Sequence, residues 1–363
     1  MRKITFPHMG LSVHPISVLL SEMGNEVIPP MEPTKQTLNL GTKYAPEFAC
    51  LPLKITLGTY IEGLERGADT VVTSGGVGPC RAGYYSALQK RILQSLGYDF
   101  EMIVFEPPRS HFVDTLQKVR KLNAARLSLP ALGWLVYRVW LELQALDKLE
   151  ATLHRVRARE AHKGAADERF KQGVAMITSA RAPKDIKEAG IEALRLLEST
   201  PQRDDMEVVK VGIVGEIYVL LEPAANLYIE RILGELGAEV HRSIFITGWT
   251  LDNAVVEGGG LHVKHAAMKY LSEMIGGHGQ DSVGHTVIYA AEGIDGVIQL
   301  APFTCIPEIV AKGILTRVSE EHSIPVLSIF FDEQTAEAGL RTRLEAFVDM
   351  LRSRKRKKVA ISA

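Results

Sequence analysis

Short apolar segments alternate with segments of helical spacing through the first hundred residues of the chain. Strands are predicted where apolar residues run together, at Lys3–Phe6, Glu26–Ile28, Ala68–Ser74 and Phe100–Phe105. Between them, helices are predicted at Pro15–Met23, from Cys50 to about Arg66, and at Arg81–Leu96. Apolar strands that are separated by helical crossovers are typical of a parallel sheet.

The pattern changes between about Ser110 and Thr200. Charged residues there mix with Leu, Ala and Val at helical spacing, and the strand signals vanish. Leu132–Leu146, just after Pro130, is a strongly apolar helix that must pack against another part of the protein. This part of the chain is therefore predicted to be a helical insertion.

The alternation of strands and helices returns after the insertion. Strands are predicted at Val208–Val214, Glu239–Ser243 and Val326–Phe331, with a helix at Ala224–Leu236. Gly293–Cys305 also parallels Gly67–Cys80, because each begins Gly-x-Asp, continues as an apolar strand and ends in a cysteine that opens a helix. These parallels indicate an internal duplication with Cys80 and Cys305 in corresponding places.

The predicted fold class is α/β, with two similar Rossmann-like parallel-sheet lobes and a helical insertion. The predicted boundaries are 1–108 for the first lobe, 109–206 for the insertion, 207–352 for the second lobe and 353–363 for a basic tail. Such a tail is usually solvated, and docking to an acidic partner is the alternative interpretation. A two-lobed protein of this kind binds its ligand in the crevice beyond the carboxyl ends of the strands.

Charge and hydropathy limit the possible partners of the 363-residue chain. The net charge of −1 gives no global field that favours nucleic acid or an anionic membrane. No apolar run approaches the roughly 20 residues that a membrane-spanning helix needs. The apolar run at Met1–Pro7 is too short for a signal peptide, so a cytoplasmic protein is expected.

Cys50, Cys80 and Cys305 are the only cysteines, and each lies within two residues of a proline at the start of a predicted helix. A thiol at a helix N-terminus faces unpaired N–H groups and the positive end of the dipole, so its pKa is expected to be lowered. Three thiolates in one cleft would suit a soft metal, and a [4Fe-4S] cluster with one iron left open is the most economical choice. Zinc with three cysteines and a histidine is a second possibility, although CxxC spacings are absent. Three inert, buried thiols are the third.

Several longer motifs resemble one family, the acyl-CoA dehydratase activase-related proteins. They are Phe6–Gly10, Lys43–Pro52, Gly75–Tyr85, Gly276–Gly279 and Pro302–Glu308. The family is similar in plan to subunits of 2-hydroxyacyl-CoA dehydratases, benzoyl-CoA reductases and double-cubane cluster proteins. The resemblance covers roughly residues 2–108 and 207–352.

The resemblance implies an oxygen-sensitive iron–sulfur protein whose cluster is reduced by a separate ATP-hydrolysing activator (activase), itself an iron–sulfur protein. The matching ligands are Cys50, Cys80 and Cys305, which would hold a [4Fe-4S] cluster with one open iron. A double-cubane cluster needs six cysteines, so two chains would have to share it in a homodimer. The implied activity is ATP-coupled reduction or dehydration of a small acyl-CoA-like substrate. The alternative is a non-catalytic electron relay or a maturation scaffold.

Other residues near the cysteines are candidates for supporting roles. No Walker A pattern occurs, so the chain is not expected to hydrolyse ATP itself. Gly75, Gly76 and Gly78, with Pro79 and Arg81, form a segment whose N–H groups could approach cluster sulfides, and a sharp turn explains the glycines about as well. Arg81 could also offset the charge of the cluster or bind an anionic substrate, and simple exposure at the surface is the alternative.

Acid–base residues are the second group of candidates. His278 is predicted to face the cluster as a proton donor or variable ligand, or else to cap the next helix. Glu308, three residues after Cys305, could relay protons, although a glutamate near a helix start is favoured by the dipole in any case. His8, Glu216 and Glu222 follow the first strand of each lobe and could also perform acid–base work.

Overall fold

The computed structural model describes residues 1–76, 80–106, 111–203, 207–252 and 260–362, with side chains up to residue 357. The first lobe contains a parallel sheet whose strands stand in the order β2-β1-β3-β4. The strands are β1 (Lys3–Thr5), β2 (Glu26–Val27), β3 (Thr70–Ser74) and β4 (Glu101–Phe105). Each was predicted from its apolar run to within two residues at either end.

The second lobe repeats this arrangement. Its parallel sheet has the order β6-β5-β7-β8. The strands are β5 (Val209–Gly215), β6 (Ala238–Arg242), β7 (Gly296–Pro302) and β8 (Val326–Phe331). In both sheets the third strand along the chain lies next to the first. In each lobe the chain must therefore cross over the first strand on its way from the second strand to the third. The predicted α/β class with two Rossmann-like lobes is therefore confirmed.

Helix α3 lies between the two lobes. The first-lobe helices are α1 (Val13–Glu22), α2 (Lys35–Tyr44), α3 (Leu51–Glu65), α4 (Tyr85–Ser95) and α5 (Phe112–Leu122). Leu51 and Ile55 at the start of α3 pack with the strands of the second lobe, whereas Leu57, Tyr60 and Ile61 pack with the first. Because α3 is covered on all sides, it is apolar around its whole circumference rather than along one stripe.

The insertion is helical, as predicted, and its first helix contacts both lobes. Its helices are α6 (Leu129–Arg157), α7 (Ala165–Ser179) and α8 (Pro183–Glu198). Leu135 and Val139 of α6 complete the apolar core of the first lobe, and Leu149 and Leu153 pack with α7 and α8. The last turns of α6 reach strand β6 of the second lobe. The predicted boundaries at 108 and 206 fall on positions outside the described residues.

The second lobe places its helices as the first lobe does. They are α9 (Ile217–Leu221), α10 (Ile229–Glu235), α11 (Ile246–Thr250), α12 (Leu261–Ala267), α13 (Gly279–Ala291), α14 (Ile306–His322) and α15 (Glu337–Ser362). Helices α3 and α13 precede the third strand of their sheets, and α4 and α14 follow it. The basic segment after residue 352 continues helix α15, and Lys355 contacts the Val208 carbonyl oxygen over 2.9 Å. Every helix in the described ranges is too short or too polar to cross a membrane.

Helix α6 buries one carboxyl group, that of Glu142, and this burial should make the stability of the protein depend on pH. Glu142 is only 2% exposed, and its Oε1 has no hydrogen-bond partner in the described part of the chain. Burial raises the pKa of Glu142 to about 7, although Arg181 and Arg138 lower it in part. Since the folded protein keeps the proton up to this pKa and the unfolded chain releases it near 4.5, stability falls as the pH rises from about 4.5 to 7.

Replacement Glu142→Gln is expected to remove this loss. Between pH 5 and pH 8 the variant should gain about 2 kcal/mol of unfolding free energy relative to wild type, less than the full shift implies because solvent and the arginines screen the charge. Urea unfolding at both pH values measures the difference, with the exposed Glu192→Gln on α8 as the control. An equal pH dependence in wild type and Glu142→Gln would contradict the expectation.

Candidate metal centre

The loops that carry the three cysteines meet at one guanidinium group. Arg81, which follows Cys80, donates from Nη1 to the Phe48 carbonyl oxygen over 3.2 Å. Its Nη2 donates to the Thr304 carbonyl oxygen over 2.6 Å and to the Thr304 hydroxyl oxygen over 3.1 Å. Phe48 lies two residues before the first cysteine of the chain, and Thr304 directly precedes the last. One side chain therefore ties all three loops together across the two lobes.

The backbone next to Cys305 is held in a conformation that its residue type disfavours. Thr304 has a φ of 70°, in the left-handed region that β-branched residues rarely adopt. Its hydroxyl donates to the Phe48 carbonyl oxygen over 3.2 Å, and Arg81 binds its carbonyl oxygen. Such strain persists where surrounding contacts fix the backbone, and it is concentrated at functional sites.

Each cysteine begins a helical turn, as the proline-flanked motifs predict. Cys50 is the N-cap residue of α3, Cys80 that of a 3₁₀ turn at Arg81–Tyr84, and Cys305 that of α14. Cys50 and Cys305 are buried, Cys80 is half-buried, and all three are free thiols. Cys80 and Cys305 both follow the third strand of their sheet, which agrees with the internal duplication.

The expectation that these helix starts lower the thiol pKa values is wrong for two of the cysteines. Burial raises the pKa of Cys50 to about 11 and that of Cys305 well above its ordinary value. The backbone N–H groups of Leu53 and Glu308 lower these values only in part. Desolvation of a thiolate therefore outweighs the helix N-terminus. A bound metal would reverse this balance, because a coordinating thiol is deprotonated outright.

A glycine loop of the second lobe lies next to Cys80. Gly277 has a φ of 50°, and a Cβ atom there would lie 3.0 Å from Pro307 Cγ and 3.9 Å from Cys80 Sγ. A Cβ at Gly279 would lie 2.6 Å from the Pro307 carbonyl oxygen. The loop thus needs glycine to approach the first turn of α14, and it brings the second lobe next to Cys80. In chain order it corresponds to the loop that carries Cys50 in the first lobe.

His278 in this loop stands at the N-cap position of α13, but the alternative prediction that it caps the helix is wrong. Its side chain does not cap the helix, and its Nδ1 lies 3.3 Å from Asp281 Oδ2 instead. Burial alone would lower the pKa of His278, but the carboxylates of Asp281, Glu216 and Glu308 raise it above its ordinary value. The histidine therefore stands among acidic groups that favour its protonated form.

Glu308 is fully buried at the centre of a hydrogen-bond network. Its carboxyl group accepts from the Ser282 hydroxyl at 3.0 Å and from Gln299 Nε2 at 2.8 Å. Burial raises the pKa of Glu308 to about 7, against the effect of these two donors. The network joins α13, β7 and α14, so Glu308 helps to fix the helix that begins at Cys305.

Two further residues lie near the cysteines. Tyr85 was not predicted to act at this site, and Glu216 was predicted only as one of several acid–base candidates. The Tyr85 hydroxyl contacts Cys50 Sγ, and burial raises the pKa of this phenol far above its ordinary value. Glu216, the N-cap residue of α9, accepts from the Val219 N–H over 3.0 Å. Burial is the main reason why the pKa values of Cys50 and Cys305 are raised, and the negative charge of Glu216 raises both of them further. Glu216 therefore lies near both thiols.

His8 and Glu222 form a contact between the lobes. His8 Nδ1 lies 2.6 Å from Glu222 Oε2, which also accepts from the Gly10 N–H over 3.1 Å. The other carboxylate oxygen accepts from the Ala224 N–H over 3.1 Å. With both oxygens bound in this way, Glu222 fastens the first lobe to the second at the ends of strands β1 and β5.

The glycine segment before Cys80 is only partly described. The Gly75 N–H donates to the Phe105 carbonyl oxygen over 2.8 Å, so strand β4 rather than a ligand occupies it. A Cβ at Gly75 would overlap the Glu106 carboxylate, so a side chain there would require Glu106 to move. Gly76 lies against Gly83. Gly78 and Pro79 lie outside the described residues.

A small pocket of about 140 Å³ opens beside the cysteine loops. Its walls come from the segment before Cys50, the start of α3 and the ends of β7 and β8, so it lies in the crevice where the fold predicts a ligand. It is lined by Glu47, Phe48, Ala49, Leu51, Lys54, Phe303, Phe331, Asp332 and Glu333. Lys54 is buried and contacts Glu333 Oε2 over 2.8 Å, which links the lobes at the floor.

The three thiols do not form a compact ligand group of the kind that holds a single ion. In the described ranges, only Glu150, His154 and Glu230 form a group of at least three potential ligands whose atoms lie within 4.8 Å of one another. The three thiols are therefore farther apart than the ligands of one tetrahedral zinc. In a [4Fe-4S] cluster each thiolate binds a different iron, so the sulfurs stand farther apart. The compact Glu150 group is itself neutralised by Arg242, which contacts both carboxylates.

The fold and the site together define a two-lobed α/β protein in which three thiols are gathered where the lobes meet. A family model described as 2-hydroxyglutaryl-CoA dehydratase, D-component, matches residues 280–351. The match spans α13 to α15 and includes Cys305 and Glu308. It confirms the resemblance and is consistent with a 2-hydroxyacyl-CoA dehydratase-like protein. The chain matches no curated protein.

Proposed function

We propose that the protein is an iron–sulfur component of the acyl-CoA dehydratase type, with one [4Fe-4S] cluster held by Cys50, Cys80 and Cys305. The observation that carries this proposal is the set of hydrogen bonds from Arg81, which joins the three cysteine loops from two lobes. Scattered inert cysteines would have no reason to share such a clamp. The proposal is further supported by the dehydratase family match to the segment that contains Cys305.

The donor set fixes what kind of chemistry this site would support. Three thiolates leave one iron without a cysteine ligand, and such an iron would supply low-potential electrons and a position for a substrate oxygen. The chain has no fourth cysteine to close that position. This favours a reactive centre over an electron-transfer cluster that is held by four cysteines.

Residues of the second lobe would donate and accept protons next to this centre. Glu308 has a pKa of about 7 and therefore exchanges its proton readily near neutral pH. His278 and Glu216 stand nearby, and the charge of Glu216 favours the protonated imidazole. We assign to these three residues the transfer of protons to and from the substrate. The pocket beside Cys50 would hold the small acyl part of the substrate, with Lys54 at its floor.

Anaerobic purification and reconstitution test the cofactor. We expect about four iron and four sulfide ions per chain and an EPR signal from the reduced protein. Zinc in place of iron, or no bound metal after reconstitution, would contradict the proposal. A stoichiometry well above four iron ions per chain would indicate instead a larger cluster, such as a double cubane shared by two chains.

A second experiment separates catalysis from electron relay. The reconstituted protein is mixed with an ATP-hydrolysing activator, ATP, a reductant and a 2-hydroxyacyl-CoA ester. Dehydration or reduction of the ester is expected, and omission of ATP should abolish it. Reduction of the cluster without conversion of any ester would favour the relay or scaffold and would leave the ligand assignment unchanged.

A further inference from the structure

The first turns of helix α6 present an apolar face to solvent. One side of these turns, with Leu135 and Val139, is buried in the first lobe. The opposite side, named the α6 face here, consists of Leu129, Pro130, Gly133, Trp134, Val136 and Tyr137. Leu129 is 73% exposed, Trp134 59% and Val136 55%, and no charged residue occurs between positions 129 and 137.

The α6 face is large enough for a specific protein contact. Its side chains expose on the order of 600 Å² of apolar surface, if an aromatic side chain contributes roughly 150–250 Å² when fully exposed. That is at the upper limit of the largest apolar patch on a typical monomer. It also approaches the roughly 800 Å² that each partner buries in a standard interface.

The spacing of the α6 face is symmetric about Gly133. Leu129 and Tyr137 lie four residues on either side of it, and Pro130 and Val136 lie three residues on either side. An antiparallel copy of the same helix that crosses at Gly133 would therefore pair Leu129 with Tyr137 and Pro130 with Val136 of the other copy. We propose that two copies of this chain associate through their α6 faces, about a twofold axis at Gly133.

The residue type at position 133 also supports this arrangement. A Cβ atom at this position would meet nothing within 4 Å in its own chain, so its own fold does not need a glycine here. A glycine in the interior of a helix costs about 1 kcal/mol relative to alanine. At the axis of a helix crossing, in contrast, the missing side chain lets two backbones approach closely.

The charges and the side-chain order of the face also favour a second copy. A twofold axis brings the face against a copy of itself, so a charged face would repel its partner, and this face carries no charge. Arg138, at its border, is already paired with Glu22 of the same chain. The Trp134 and Tyr137 rings pack against each other with centroids 5.8 Å apart, so little side-chain freedom remains to be lost on association.

Sedimentation of the full chain tests the interface independently of the proposed function. Wild type is expected to be a dimer at micromolar concentration. Trp134→Glu should raise the dissociation constant of the dimer at least 100-fold, because it places two carboxylates in an apolar contact. Ile191→Glu on α8, at a residue that is 52% exposed, should leave the dimer unchanged. A monomeric wild type at 100 μM, or a Trp134→Glu dimer of unchanged affinity, would overturn the proposal.

Oxidative cross-linking tests the position of the axis. Gly133→Cys should form a disulfide-linked dimer, whereas Ala151→Cys, at an exposed position of the same side of α6, should not. In the antiparallel arrangement the two copies of residue 151 lie about 54 Å apart, at 1.5 Å of rise per residue. Equal cross-linking at both positions, or at Ala151→Cys alone, would overturn the arrangement. Binding of wild type, but not Trp134→Glu, to phosphatidylcholine vesicles would assign the face to a lipid surface instead.

Discussion

Replacement of any one of the three cysteines by serine is expected to lower bound iron from about four to less than one ion per chain. Two remaining thiolates cannot hold a cluster that already lacks a fourth cysteine, and a serine hydroxyl is a far weaker ligand for iron than a thiolate. The effect should be equal for Cys50→Ser, Cys80→Ser and Cys305→Ser, since in the proposed cluster each thiol would hold a separate iron. Iron and sulfide analysis after anaerobic reconstitution, with EPR of the reduced protein, measures it.

Serine is also a suitable substitution for excluding unfolding as the cause. The three positions are N-cap residues, and serine is among the best residues at an N-cap, so the helices that begin there are retained. Circular dichroism and the thermal midpoint of the metal-free variants should match those of metal-free wild type. A Cys80→Ser protein that keeps its full iron content would contradict the three-cysteine assignment.

Replacement Arg242→Met is expected to cost about 3–5 kcal/mol of unfolding free energy. Arg242 lies in β6 and contacts Glu230 over 3.2 Å and Glu150 on α6, while its guanidinium lies over the Phe245 ring at 4.2 Å. Without the guanidinium, the buried carboxylate of Glu230 would keep His154 Nε2 at 3.0 Å as a hydrogen-bond partner but would lose the positive charge that lies against it. Methionine preserves the volume of the side chain, so the expected loss comes from the unpaired charges rather than from a cavity.

The pH dependence of this loss has a definite sign. Burial would raise the pKa of Glu230, but Arg242 and His154 lower it to about 2. In wild type the ionised Glu230 therefore contributes stability above pH 4.5, and this contribution is lost as the pH falls towards 2. In Arg242→Met the pKa should instead rise above its ordinary value, so acidification relieves the buried charge.

The difference between Arg242→Met and wild type should therefore be largest near pH 7 and should shrink towards pH 4. Urea unfolding at several pH values measures it. Arg155→Met is the matched control, because Arg155 lies on the same α6 but forms an exposed pair with Glu198. An exposed pair contributes less than about 1 kcal/mol. Equal losses in the two variants would show that the buried network is not what holds α6 to the second lobe.

The strands and the positions of the cysteines could be predicted from the sequence because their signals are local. Each strand is an apolar run between turn residues, and each cysteine stands next to a proline at a helix start. The repeated Gly-x-Asp segments predicted the duplication of the lobes, whereas the order of the strands within each sheet was not predicted. The structure bears out this part of the fold, with Cys80 and Cys305 each at the start of the helical turn that follows the third strand of its sheet.

Other features depend on contacts that no local pattern reveals. Helix α2 was not predicted, because it packs on α3 through Gly41 and Gly58 rather than through an apolar stripe. The contact of Tyr85 with Cys50 joins two distant segments. The raised pKa values of Cys50 and Cys305 could not be anticipated either, since they follow from burial, which depends on the complete fold.

The long helix α6 limits how the protein can open. At 29 residues it extends about 44 Å, with its first half embedded in one lobe and Asp147, in its second half, accepting from the Thr247 N–H of the other lobe over 2.9 Å. A rigid rod fixed at both ends works against a clamshell motion of the two sheets. A molecule would therefore reach the thiols by displacement of loops rather than by separation of the lobes. Because α6 contacts both lobes, a change in its tilt would move one lobe relative to the other and so change the spacing of the thiols between them.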